Sequence, residues 1–83
     1  MKIHFIGVGG IGVSALAQYY LQKGHQVGGS DLSPSEITDF LKKKGIAILV
    51  GNKPEHISQD MDMVVYSPAV KYDNAEYVMA KSM

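Results

Sequence analysis

The sequence predicts an α/β fold, a doubly wound parallel sheet layered between helices, and three observations carry that prediction. A short apolar strand at residues 2–6 runs directly into the glycine turn G-V-G-G-I-G at residues 7–12 and from there into a helix. Short strand-helix units then follow one another, punctuated by Gly24 and Gly45. Two more apolar runs rich in β-branched residues, residues 46–50 and Met63–Tyr66, complete the strand set. The resulting order βαβαββα gives a three-layer αβα domain with strand order 3-2-1-4.

Each element has its own local reason. In the first helix Val13, Leu16, Ala17, Tyr20 and Leu21 recur at helical spacing and supply the buried stripe. Lys23 and Gly24 end it, a cation near the negative helix end followed by a residue free to take positive φ. The second strand is expected over residues 26–29 and stops at Ser30-Asp31. Ser33, Pro34 and Glu36 have the spacing of a helix start, with Ser33 as cap and Glu36 reaching back to it. Ile37, Phe40 and Leu41 form the buried stripe of that helix, and the lysine run 42–44 suits its C-terminal end as a solvated face. The unbroken apolar run at residues 46–50 is expected to be a strand covered on both faces. One helical turn falls in the irregular stretch near residues 54–57, and Asp73-Asn74-Ala75-Glu76 starts a third helix whose stripe is Ala75, Val78 and Met79.

Composition narrows the functional classes. Eighty-three residues make one domain, 1–83, of a size that buries roughly 60–65% of its unfolded surface. Charge balances to zero, which gives no electrostatic case for nucleic acid or an anionic membrane surface. All eight basic residues are lysine, so a phosphate is expected to be held by backbone N–H groups, hydroxyls or lysine, not by a guanidinium fork. No cysteine is present, which excludes disulfides and thiolate metal sites and fits a reducing, cytoplasmic setting.

The chemistry is expected where the winding of the sheet reverses, outside the carboxyl ends of the strands. Gly7, Gly9 and Gly12 have the G-x-G-x-x-G spacing: Gly7 for the sharp turn, Gly9 for backbone approach to a ligand, and Gly12 for close helix packing. Gly10 adds another position without a β-carbon where the first helical N–H groups point outward, and that end of a helix favours an anion. Asp31, about 20 residues beyond the last of these glycines, stands where a carboxylate accepts from ribose hydroxyls and repels a 2′-phosphate. Ser67 and Pro68 end the fourth strand at the same edge and are placed to wall a base. Two plainer readings stay open: Asp31 as the cap of the next segment, and Ser67-Pro68 as a strand terminator. His4 reads as a hydrogen-bonded packing residue, His25 as solvent-facing, and His56 as a loop residue without partners for a metal. No G-x-x-x-x-G-K-[ST] sequence is present, so the chain carries no phosphate loop for ATP.

Three segments together resemble a known family: H-F-I-G-V-G-G-I-G-V-S-A-L-A at residues 4–17, G-S-D at 29–31, and V-V-Y-S-P-A-V with D-N-A-E within 64–76. They are similar to the N-terminal domain of the Mur ligases that join L-alanine to UDP-N-acetylmuramate. The resemblance implies a Rossmann-like domain that binds the UDP part of UDP-N-acetylmuramate in place of NAD. It implies that Gly9, Gly10, Ile11 and Gly12 line the diphosphate, with Ser30, Asp31, Ser67, Pro68 and Ala69 near the uridine. It also implies that ATP and Mg²⁺ act on central and C-terminal domains outside these residues, that a further strand follows, and that this stretch alone turns nothing over. An open sheet edge at the fourth strand is the expected consequence. Two other functions fit the residues: an NAD-binding oxidoreductase domain, and a nucleotide-sensing regulatory module.

Overall fold

The computed structural model describes all of residues 1–83. Strand β1 (Lys2–Ile6) leads through the glycine turn into helix α1 (Ile11–Gln22), followed by β2 (Gln26–Asp31), α2 (Glu36–Lys43) and β3 (Ala47–Val50). A 3-10 turn (Pro54–His56), β4 (Met63–Tyr66) and α3 (Ala75–Lys81) complete the chain. The four strands form one parallel sheet in the order β3-β2-β1-β4, as the winding predicts.

Side-chain alternation along the strands divides the interior into two unlike halves. Ile3 and Phe5 of β1 and Val27 of β2 face α1 and α2, where they form an apolar core with Val8, Val13, Ala17, Leu41 and Ile46. His4 and Ser30 face the other way, toward α3, and are almost wholly buried there with Glu76. One face of the sheet is therefore closed by hydrocarbon, and the other by a hydrogen-bonded polar cluster beside the buried Ile6 and Ile57.

Several local expectations are corrected. Strand β2 continues through Ser30 and Asp31, because Ser30 pairs with Ile6 and Asp31 with Val50. Helix α2 starts later than its Ser-Pro signal: Ser35 is the cap, its hydroxyl accepting from Thr38 N–H, and Thr38 Oγ1 accepts in return from Ser35 N–H. Thr38 thus fills the reciprocal position expected of Glu36. Strand β3 is an edge strand, and its Leu49 and Val50 are 42% and 52% exposed where cover on both faces was expected. Leu16, Phe40 and Val78, each assigned to a buried stripe, are also substantially exposed. In α3 the fully buried residue is Glu76, between the positions the apolar stripe selects. His25 packs on the Tyr20 ring at 5.6 Å and its Nδ1 lies 3.1 Å from the N-terminal amine, so it is only partly in solvent.

The glycines divide their tasks differently from the motif. Gly7 has φ +73° and makes the sharp turn, as expected. A β-carbon at Gly12 would meet nothing within 4 Å, so close helix packing is not its task here. The tight approach is instead at Gly29, between β2 and the start of the glycine turn, where a β-carbon would lie 2.6 Å from Val8 Cβ and 2.8 Å from the Phe5 carbonyl oxygen.

Candidate functional site

The glycine turn is fastened to the end of β2 from both sides. Gly7 and Val8 N–H groups both donate to the Ser30 carbonyl at 2.9 Å, and Gly9 N–H donates to Asp31 Oδ2 at 2.9 Å. Asp31 Oδ1 also accepts from Ser33 N–H at 3.4 Å. Asp31 therefore organises the turn that precedes it in sequence and the segment that follows it. Gly10 caps α1 with extended backbone and no side-chain partner. The first intrahelical bond runs from Ser14 N–H to the Gly10 carbonyl at 2.8 Å, which leaves Ile11, Gly12 and Val13 N–H at the open helix end.

Two adjoining cavities open at this edge. The larger, about 660 Å³, is lined by Gly7, Gly10, Ser30, Asp31, Ser67, Ala69 and Glu76 among others. The smaller, about 440 Å³, lies against the start of α1 and is lined by Gly10, Ile11, Gly12, Ser67 and Pro68 with apolar neighbours. Gly10 and Ser67 border both. Of the residues picked out in the sequence, only Gly9 lines neither cavity; its N–H is turned onto Asp31.

The two cavities differ in charge. Asp31, Asp73 and Glu76 line the larger against a single cation, Lys71, whereas no acidic residue lines the smaller. The open helix end of the smaller cavity carries unpaired N–H groups and the positive end of the helix dipole, whereas carboxylates line the larger. A third cavity of about 600 Å³, lined by Ile57, Met61, Met63, Tyr66, Tyr77 and others, runs along the open β4 edge away from the glycine turn.

Glu76 is the principal site residue that sequence reasoning missed. Its side chain is 0% exposed. Oε1 accepts from Ser30 Oγ at 2.6 Å and pairs with His4 Nε2 at 2.8 Å, while Oε2 pairs with His56 Nδ1 at 2.9 Å and accepts from Lys53 N–H at 3.3 Å. His4 is thus the hydrogen-bonded packing residue that was expected, and His56 joins the same acid. The usable signal was His4 itself: a histidine in an otherwise apolar strand needs a buried partner. Burial alone would raise the Glu76 pKa, but hydrogen bonds from His4, Ser30 and His56 outweigh it and bring the value from 4.5 down to about 2.

That shift sets a pH dependence. Between these values the unfolded chain binds the proton and the folded chain does not, so stability is complete above about pH 5 and falls as the solution is acidified toward pH 2. The loss expected from this group is about 3 kcal/mol, read as the pH slope of urea unfolding that is missing in Glu76→Gln. An equal slope in both proteins would contradict the assignment.

A parallel doubly wound sheet whose glycine turn opens a free helix N-terminus into a cleft at the strand ends defines a Rossmann-like domain. Comparison with known proteins narrows the class: a model described as "Mur ligase family, catalytic domain" matches residues 2–83. The chain belongs to the Mur ligase family. It is 52% identical over 77 residues to the UDP-N-acetylmuramate–L-alanine ligase of Lachnoclostridium phytofermentans, covering 93% of this chain and 16% of that protein. Identity to the ligase of the same name from Aquifex aeolicus is 51% over 80 residues, covering 96% of this chain and 17% of the relative. The crystal structure of UDP-N-acetylmuramate-alanine ligase from Thermotoga maritima superimposes with a TM-score of 0.92 at 44% identity, covering 99% of this chain and 19% of that one. A murein peptide ligase from Psychrobacter arcticus gives 0.81 at 31% identity, covering all of this chain and 18% of that one. The chain thus spans less than one fifth of the length of these relatives.

Proposed function

We propose that residues 1–83 are the substrate-binding domain of a ligase that joins L-alanine to UDP-N-acetylmuramate, and that the cleft at the strand ends takes the UDP part. The observation that carries this reading is the pairing of an acid-free anion seat at Gly10, Ile11 and Gly12 with an adjoining acceptor-rich pocket at Ser30 and Asp31. The diphosphate lies over the α1 N-terminus, where unpaired N–H groups and the helix dipole replace the missing arginine. Uridine lies toward Asp31 and Ser30, with Ser67, Pro68 and Ala69 forming the opposite wall. The family relationship and the names of the relatives support the choice of substrate.

The ligation itself, an ADP-forming condensation driven by ATP and Mg²⁺, belongs to the central and C-terminal parts of the whole ligase in this reading. The residues present do not fit that chemistry: they hold no phosphate loop, and no three His, Asp or Glu side chains are grouped to share a cation. The 83 residues are accordingly expected to bind substrate without turnover, in the cytoplasm where the nucleotide precursor is made. No helix is long and apolar enough to cross a membrane.

Asp31→Ala tests this reading by titration calorimetry with UDP. Loss of a carboxylate that accepts from ribose is expected to weaken binding by about 1.5–3 kcal/mol. Because Asp31 also holds Gly9 N–H, the variant's melting temperature is measured alongside. A folded variant with unchanged affinity would remove Asp31 from the site.

A further inference from the structure

The fourth strand leaves one edge of the sheet open, and the residues there are apolar on both of its faces. We propose that this edge is an interface between two copies of the chain: β4 pairs with β4 of the second copy, antiparallel about a two-fold axis at Val65, and joins the two four-stranded sheets into one. The inference does not depend on what the cleft binds.

Sheet geometry fixes which groups are free. The Met1 carbonyl accepts from Gln26 N–H and Gly7 N–H donates to the Ser30 carbonyl, so the odd-numbered residues of β1 turn toward β2. The even-numbered His4 and Ile6 therefore turn toward β4, where His4 stands opposite Val64 and Ile6 opposite Tyr66. In a parallel ladder such a residue bonds to the neighbours of the one it faces, so Val64 and Tyr66 keep unpaired N–H and carbonyl groups at the edge. The surface around them is apolar. Tyr66, 48% exposed, lies against Tyr77 on one face, and Val64 shares that groove with Ala80. On the other face Val65 borders Leu16 and Pro68. A strand apolar at every position fits both faces, and β4 itself, Met-Val-Val-Tyr, is such a strand. An axis at Val65 sets Val64 against Tyr66 of the second copy, and Tyr66 against its Val64, each pair exchanging both backbone hydrogen bonds. Charge agrees with that register. Asp62 and Lys81 line the same groove, and neither forms an ion pair within its own chain. Lys81 Nζ stands 5.6 Å from the Tyr77 ring, which packs on Tyr66. The antiparallel arrangement brings Asp62 of the second copy, next along the face from its Val64, diagonally opposite Tyr66 and Lys81, and symmetry makes the attraction twice.

Sedimentation equilibrium of the ligand-free chain at about 100 µM is expected to give twice the 9.0 kDa of one copy. A mass of one copy would overturn the proposal, and so would a mass that keeps growing with concentration, because a contact that does not close is not this two-fold pairing. The register is read by a disulfide, since the chain has no cysteine of its own. Val65→Cys places two thiols opposite each other at the axis, where a non-hydrogen-bonded pair has its α-carbons about 4.5 Å apart, within the span of a disulfide. Air oxidation is expected to give a covalent dimer on a denaturing gel. Val50→Cys, on the exposed edge of β3, is the control and is expected to stay a single chain. Cross-linking of Val50→Cys alone, or of both variants equally, contradicts the assignment. Two substitutions are expected to raise the dissociation constant of the dimer at least about ten-fold. Val64→Pro removes an outward N–H at an edge position where proline spares the ladder to β1. Ala80→Arg sets cations of the two copies against each other in the groove while suiting the end of its helix. If Val64→Pro does not fold, Ala80→Arg decides: a folded Ala80→Arg that dimerises as tightly as the wild type would overturn the proposal.

Discussion

Replacement of Glu76 by alanine is expected to cost about 3–5 kcal/mol of folding stability, the scale of removing one partner from a buried charged network. The variant leaves Ser30 and His4, 2% and 3% exposed, without their acceptor, and removes the tie between β1, β2, the 3-10 turn and α3. The larger apolar cluster lies on the opposite face of the sheet, and of the buried apolar side chains only Ile6 and Ile57 lie on this one. Natural domains are stable by only about 5–15 kcal/mol, and an 83-residue domain belongs toward the lower end, so the variant is expected to be largely unfolded at 37 °C. Urea unfolding at 10–25 °C, about the temperature of maximum stability, gives the number. A loss below about 1 kcal/mol would show that the network is not the support described here.

Gly29→Ala is the second large effect, at about 3 kcal/mol. The added β-carbon would stand 2.6 Å from Val8 Cβ, 2.8 Å from Val8 Cγ2 and 2.8 Å from the Phe5 carbonyl oxygen, and a backbone atom cannot rotate aside. Gly12→Ala is the control within the same motif. Nothing lies within 4 Å of its β-carbon position, and alanine in a helix is favoured over glycine by up to about 1 kcal/mol. The two substitutions are therefore expected to shift the urea midpoint in opposite directions. Equal losses would mean that the motif assignment of Gly12 to close helix packing was right after all.

The difference between those glycines shows how far the sequence could be read. Periodicity located all four strands and all three helices because each reports on a local preference, and the winding order followed from the parallel βα units. The exposure of Leu49, Val50 and Val78 was not legible, because whether an apolar face is covered depends on which strand lies at the edge and how far the helices extend. The position of the α2 cap was ambiguous among closely spaced serines, and only the backbone path selected Ser35. In the site, the glycine turn, Ser30, Asp31 and the segment after β4 were visible as motifs that converge on one sheet edge. Glu76 was hidden because an acid in the first turn of a helix already has a local explanation. Its contacts with His4 and Ser30 span 72 and 46 residues, beyond any local pattern.

The most direct test of uridine nucleotide binding at this cleft is an NMR titration of the labelled chain with UDP-N-acetylmuramate and, separately, with NADH. Saturable shifts of the Gly10, Ile11 and Gly12 amides together with Ser30, Asp31 and Ser67 are expected on addition of the UDP sugar, and none with NADH. The same shifts with NADH alone, or shifts with the UDP sugar confined to Met63, Tyr66 and Tyr77 along the β4 groove, would contradict it.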